Sequence, residues 1–410
     1  MRNWPKDKCN FYAINCSKEE KVKIVNNSKL EELFYVYAKN YKEAAKLIVE
    51  DALESNSIAT LDINFFGLAF LYRHSLELLL KAIGFKHIKD EKQRKKFVKE
   101  TFHNLYDITK YISEYIADYI KYDEDSYKWM MKIFYDMNSI DKESDSFRYP
   151  FELVKKNKGG FRNKKEFTIK LFFDEQSHID LKKFANKMEI IFYVLNGYYV
   201  GKKQIVNEHK EYSTTFLEQG GEYYAQSVIG DAYNRGKFDY NVSSYKNCAD
   251  ILYNIINSNI EKKNLFIPLC YLYRNSIELS MKEILCEESS YKYQDKLQKL
   301  NDNKHKLYSI WNEIKDDVRR HAQVEKNDKT LLNIEAYIKM LNDIDGGADL
   351  FRYPCDKHLN IYFRNAKFFD IDNVRDFFED ILTFMRCVCD KMSEQNEALR
   401  EIEYENRSDY

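Results

Sequence analysis

Phe70-Leu71-Tyr72-Arg73-His74-Ser75-Leu76-Glu77-Leu78-Leu79-Leu80-Lys81 returns further along the chain as Tyr271-Leu272-Tyr273-Arg274-Asn275-Ser276-Ile277-Glu278-Leu279-Ser280-Met281-Lys282, so that Arg274 follows Arg73 by 201 positions. Working outward, His103-Asn104-Leu105-Tyr106 is matched by His305-Lys306-Leu307-Tyr308. Ile140-Asp141, Asp145 and Phe147-Arg148-Tyr149-Pro150 are matched by Ile344-Asp345, Asp349 and Phe351-Arg352-Tyr353-Pro354. Upstream, Tyr41-Lys42 pairs with Tyr245-Lys246. Downstream, Phe161-Arg162-Asn163 pairs with Phe363-Arg364-Asn365, and Phe172-Phe173-Asp174 with Phe368-Phe369-Asp370. One order kept twice, with nearly constant spacing, marks an internal duplication.

One copy reads as a run of helices. Apolar periodicity predicts a helix over Leu30 to Glu54 and a second, greasier one from about Ile63 to Phe85. A charged stretch, Lys89 to Glu100, leads to a third helix starting near His103, and a fourth covers about Ser126 to Ser139. Pro150 ends the local helix or turn, because proline disfavours helix in the residue before it. Asn157-Lys158-Gly159-Gly160 reads as a turn between two short strands. A last helix runs from Asp180 to about Tyr199; its partner runs from Asn373 to Met392, ahead of a polar tail. Gly201 to Gly221 has the look of a linker. The expected architecture is all-α: two tandem bundles, each with a small β-hairpin, over 1–200 and 223–410, joined by 201–222.

Composition agrees. With 12 Gly and 4 Pro in 410 residues, few turns are punctuated by breakers, which favours long helices. A net charge of -1 advertises no global basic field for nucleic acid, though a local basic cleft is compatible with it. No apolar run suggests a signal peptide or a membrane span, so a cytoplasmic protein with reduced thiols is expected. The eight cysteines show no metal-ligand spacing, and Cys387 and Cys389 read as core. No Walker loop, Gly-rich dinucleotide turn, HExxH or Cys/His zinc array is present, so neither a metal nor another cofactor is expected.

On a helical wheel with Arg73 at zero, Glu77 falls near about 40°, Lys81 near about 80° and His74 near about 100°. Leucines and Ile83 occupy the rest. Arg274, Glu278, Lys282 and Asn275 draw the same stripe in the second copy. Two readings of this stripe stay open. Glu77 clamps Arg73 and Lys81 as a buried structural ladder, or the stripe faces a substrate. His103 and His305 are packing or capping residues, or groups titrating near neutrality and aimed at the stripe. Arg148 and Arg352 fix a turn by pairing with Asp141 or Asp145 and their equivalents, or they hold a phosphate, which guanidinium geometry suits. Lys92, Arg94, Lys95, Lys96 and Lys99, interleaved with Glu91 and Glu100, read as a solvated face.

Glu77-x3-Lys81, His103-x-Leu105 and Arg148-Tyr149-Pro150, with their repeats Glu278, Lys282, His305, Leu307 and Arg352-Tyr353-Pro354, resemble HEPN domains, the higher eukaryote and prokaryote nucleotide-binding helical domains. The resemblance covers about residues 30–199 and 223–392. It implies up-and-down bundles of four or five helices, here paired within one chain as an intramolecular pseudo-dimer. It implies either of two functions. One is a metal-independent RNA endonuclease of anti-phage or abortive-infection defence. The catalytic residues would come from Arg73, His74, Glu77, His103, Arg274, Asn275, Glu278 and His305, and RNA phosphate would be held by Lys81, Arg148, Tyr149, Lys282, Arg352 and Tyr353. The other is a non-catalytic module that binds a nucleotide, an RNA or a protein partner of the same defence system. The family's usual second histidine, four to six residues after the arginine, is absent: positions 77–80 are Glu-Leu-Leu-Leu. Arg352-x5-His358 has that spacing but straddles Pro354 and has no counterpart after Arg148.

Overall fold

A computed structural model describes residues 3–17, 21–156, 166–230 and 236–408. After a short strand, β1 (Val22–Ile24), the chain is predominantly helical. Helix α1 (Leu30–Glu54) buries Leu33, Phe34, Tyr37, Ala38, Tyr41, Ala44, Ala45 and Ile48, the three-and-four spacing that made it legible. Helix α2 (Ile58–His87) starts at Ser57, whose side chain accepts a hydrogen bond from the Thr60 amide. It is buried without a break from Asn64 to Phe85, as a helix apolar on nearly every side must be. Helix α3 (Glu91–Thr101) takes up the charged stretch expected to connect; Asp90 caps it by accepting from the Gln93 amide. Helices α4 (Leu105–Ile112), α5 (Ala117–Tyr122) and α6 (Glu124–Asp141) follow.

Strands β2 (Phe151–Lys156) and β3 (Glu166–Leu171) pair antiparallel, with Phe151 opposite Leu171. The Asn157–Gly160 turn between them lies outside the described residues. Strand β4 (Ser177–Asp180) leads into α7 (Leu181–Val200), capped by Asp180. Beyond 201, β5 (Gln226–Ile229) pairs antiparallel with β4. The second half continues through α8 (Asp239–Ser258), α9 (Phe266–Glu283) and its π-helical extension Ile284–Glu288, α10 (Tyr293–Asn303), α11 (Leu307–Ala322) and α12 (Lys329–Ile344). Strand β6 (Lys367–Phe369) pairs with β1, and α13 (Ile371–Ser408) carries the supposed polar tail as helix.

Two sequence expectations need correcting. The second half has no hairpin in the place of β2–β3. Its chain turns back at once, with a single bridge between Cys355 and Ile361. The Tyr362 amide donates to the Pro354 carbonyl at 2.9 Å, the bond that the Phe172 amide makes to Pro150 at the foot of the first hairpin. The second correction concerns alignment. Phe368-Phe369-Asp370 does not stand where Phe172-Phe173-Asp174 stands; Asp370 takes the place of Asp180. Asp370 accepts from the Asn373 amide and Asp180 from the Lys183 amide, each at the start of the last helix of its half. Short aromatic motifs slide along one another when the loop between them changes length.

The halves are laced together. The segment before α1 lies on the second half: Phe11 packs edge-on against Phe369, Phe377 and Phe378, and the Asn15 and Cys16 amides donate to Asp370. The segment after α7, expected to be a linker, lies on the first half. There Phe216 packs on Phe147 and Phe184, and Lys187 donates to the Thr215 carbonyl. At the centre α2 crosses α8 closely. The Gly67 amide donates to Ser244 Oγ at 3.0 Å, and a Cβ at Gly67 would stand 2.7 Å from Cys248 Sγ. Phe70 and Tyr271, counterparts in the repeat, stack with ring centroids 4.7 Å apart. No helix among the described residues is long and apolar enough to cross a membrane.

Candidate functional site

Two clusters of the same construction lie at the junction of the halves, and each is completed by a tyrosine from the opposite half. In the first, Glu77 is wholly buried. Its Oε2 accepts from Arg73 Nη1. Its Oε1 accepts from Lys81 Nζ at 2.7 Å, from His103 Nδ1 at 2.9 Å and from the hydroxyl of Tyr353 at 2.7 Å. In the second, Glu278 takes Arg274 on Oε2, and Lys282 at 2.7 Å, His305 at 2.9 Å and Tyr149 at 2.8 Å on Oε1. Lys81 stands over the Tyr353 ring and Lys282 over the Tyr149 ring, at 4.8 and 4.3 Å. The arginines are held from behind. Arg73 Nε donates to Asp141 at 3.0 Å, and Arg274 Nε stands 3.4 Å from Asp345. Each also donates Nη2 to the carbonyl of its half's histidine, His103 or His305.

Electrostatics follow from burial and pairing. Burial alone would raise the pKa of Glu77, but Lys81, His103 and Arg73 outweigh it and hold the carboxyl well below the usual range. Glu278 behaves alike through Lys282, His305 and Arg274. Burial and the adjacent carboxylates push Tyr149 and Tyr353 well above the ordinary phenol, although Arg148 and Arg352 pull the other way. Burial likewise opposes the charge on Arg73, and Asp141 and Glu77 restore it. A residue of unusual backbone precedes each histidine: Phe102 at φ 44° and Lys304 at φ 47°. The arginine's bond to the next carbonyl holds this strained turn in both halves.

These contacts decide where the sequence-predicted residues stand. Arg73, His74, Arg274 and Asn275 are buried to 1 % exposure or less, with no edge for a substrate. His74 faces the Arg352 carbonyl through Nε2 at 2.9 Å, and burial lowers its pKa to about 3. It is a neutral packing group, stacked on Phe70, and is not placed to take a proton from a ribose hydroxyl. Glu77 and Glu278 act as hubs behind the histidines. Arg148 and Arg352 are buried too and pair with Asp145 and Asp349; Asp141, the other partner expected for Arg148, goes to Arg73. Arg148 also donates to Tyr149 Oη at 2.8 Å. Neither arginine has a free face for phosphate. Lys282 is tied to Glu278, and Tyr149 to Glu278 and Arg148.

His305 is tied to Glu278 and has a side chain 32 % exposed, while His103, Lys81 and Tyr353 share one cavity. They line this cavity, of about 600 Å³, together with Phe34, Phe85, Lys95, Val98, Lys99, Phe102, Asp349, Cys355, Lys357, His358 and others. The His103 side chain is 31 % exposed. Its Nδ1 faces a carboxylate that can only accept, so Nδ1 carries a proton, and Nε2 has no partner among the described residues. The floor is aromatic. The rim carries the exposed side chains of Lys99 and Lys357, which have no ion pair among the described residues, and Lys95, paired with exposed Glu91. Asp349 pairs with Arg352, and Asp356 accepts from the His358 and Asn360 amides and keeps its charge. Sequence reading missed this cavity because its walls come from α1, α2, α3 and the turn after Pro354. The one local signal was Phe97-Val98 inside the basic run, which made α3 two-faced.

Cys387 and Cys389 are half-buried in α13, and no group of His, Cys, Asp or Glu among the described residues is arranged to hold a metal ion. No protein-family model matches the chain, and no match was found among curated proteins or solved structures.

Proposed function

We propose that the chain is a tandem HEPN-like module, two bundles paired as an intramolecular pseudo-dimer, that binds the phosphate of a nucleotide or RNA in the cavity beside His103 without cleaving it. The observation that carries this reading is the division of labour among the cations. Arg73, Arg274, Arg148 and Arg352 are consumed inside the protein, whereas Lys99 and Lys357 stand free around an aromatic-floored cavity. Stacking surface plus unneutralised lysines is what a phosphorylated, base-bearing ligand requires. Its test is binding of a fluorescein-labelled 5′-phosphorylated RNA pentamer in EDTA, to wild type and to Lys99→Glu with Lys357→Glu. The double variant is expected to bind at least about tenfold more weakly and to lose salt dependence. Equal binding refutes the assignment.

A second reading, metal-independent RNA cleavage in defence, is favoured by one feature. His103, backed by Glu77 and presenting Nε2 to the cavity, has the form of a general base. It would take the proton from a 2′-hydroxyl as that oxygen attacks phosphorus, and an acid such as His358 would protonate the departing 5′-oxygen. Incubating the RNA without metal distinguishes the two readings. A 2′,3′-cyclic phosphate product that His103→Gln abolishes supports cleavage. Intact RNA that remains bound supports the binding module.

A further inference from the structure

The two half-sites differ in the residue that follows the Tyr-Pro pair. The residue after Tyr-Pro is Phe151 in the first half and Cys355 in the second. Tyr149-Pro150-Phe151 serves the second half-site, so the aromatic side chain is delivered there. Phe151 packs edge-on against Phe238 at 5.4 Å. Phe238 stands in the repeat where Phe34 stands in the first half, and Phe34 lines the open cavity. From Phe151 the β2–β3 hairpin then lies on α10. Gln294 binds both the amide and the carbonyl of Phe167, at 3.0 Å each, and Phe167 is fully buried. Helix α10 is the counterpart of α3, the outer wall of the cavity. At the first half-site the arriving residue is the small Cys355, 5 % exposed and facing the cavity, and the chain turns away by the Cys355–Ile361 bridge.

We infer that Cys355 is the residue that leaves the first half-site open, and that the ligand's ring there takes the place that Phe151 fills at the second. The protein therefore binds one ring-bearing phosphorylated ligand per chain despite its duplication. The ring lies over Cys355 beside Phe34 and Tyr353, whose own rings are 6.5 Å apart, and the phosphate meets Lys99 and Lys357 at the rim. This rests on the proposed phosphate-binding role of the cavity and adds the ligand's shape, its stoichiometry and the residue that sets both.

The test uses the full chain and calorimetric titration with AMP, GMP, CMP, UMP, ribose 5-phosphate and inorganic phosphate. At least one nucleoside monophosphate is expected to bind at one per chain, about tenfold or more tighter than ribose 5-phosphate. Cys355→Phe is expected to abolish that preference, and Cys355→Ser to keep it. Should Cys355→Phe fail to fold, Cys355→Leu fills part of the same space and is expected to weaken the nucleotide while sparing ribose 5-phosphate. Two ligands per chain, or nucleotide binding unchanged in the folded Phe or Leu variant, overturns the inference. Ribose 5-phosphate binding as tightly as every nucleotide overturns it while leaving the phosphate-binding reading standing. If none of the six probes binds, the phosphate-binding reading falls first and this inference with it.

Discussion

The two half-sites share an interior and differ at the rim. Inside, Arg73-Glu77-Lys81-His103 with Tyr353, and Arg274-Glu278-Lys282-His305 with Tyr149, make the same bonds to within a few tenths of an ångström. The histidines are even equally exposed, at 31 and 32 %. Outside, one is bordered by Cys355, Lys99, Lys357 and Phe102, the other by Phe151, a hairpin and α10. What is identical in both is buried and charge-balanced, which is the mark of a device that holds the halves together. What differs lies where solvent reaches, which is where selection for a ligand acts.

The comparison breaks most severely at the hubs. Glu77→Ala and Glu278→Ala each strand a buried arginine and lysine and are expected to cost about 3–5 kcal/mol. Urea unfolding should show similar losses for the two. A loss under about 1 kcal/mol for either would mean that its cluster is not structural.

Next comes pH. The Glu77 and Glu278 pKa values are depressed in the fold, so their contribution is present above the unfolded value of about 4.3 and is lost as pH falls below it. Tyr149 and Tyr353 are raised, so theirs is present below the unfolded value of about 10 and is lost as pH rises past it. Thermal unfolding across pH 3 to 11 is expected to show a plateau with both flanks. A Tyr149→Phe, Tyr353→Phe double variant should weaken the alkaline flank and leave the acid one.

Smaller still are the single tyrosine changes. Tyr353→Phe and Tyr149→Phe each remove a hydrogen bond to a carboxylate, worth about 1.5–3 kcal/mol. Denaturant midpoints should both fall, and Tyr149→Phe the further, because it also takes a partner from Arg148. Equal losses would show that the Arg148–Tyr149 bond contributes nothing. The smallest effect sharpens the comparison at the rim. Lys99→Glu is exposed and should change stability by less than about 0.5 kcal/mol, yet weaken ligand binding, while the counterpart change Asn301→Glu at the second half-site should do neither.

Much of this was legible before any coordinates. Arg73 and Glu77 are one turn apart in an apolar helix, so their pairing and burial followed from helical geometry alone. Helix α1 was readable to the residue because one face is apolar throughout. The destination of Tyr149 was not. Nothing local says that a tyrosine 72 positions after Glu77 passes that carboxylate by and reaches Glu278, 129 positions further on. Nor did the turn and two short strands read around Asn157–Gly160 carry over to the second half, where that region is shorter and makes a bare turn.

The sequence by itself determined the duplication, the helical class and the charged stripe, because a repeat and a 3.6-residue period are properties of order along the chain. Only the tertiary structure decided that the halves exchange their tyrosines, that the four arginines are interior, and that Cys355 borders a cavity at one half-site while Phe151 meets Phe238 at the other. Those depend on which side chains from distant segments meet.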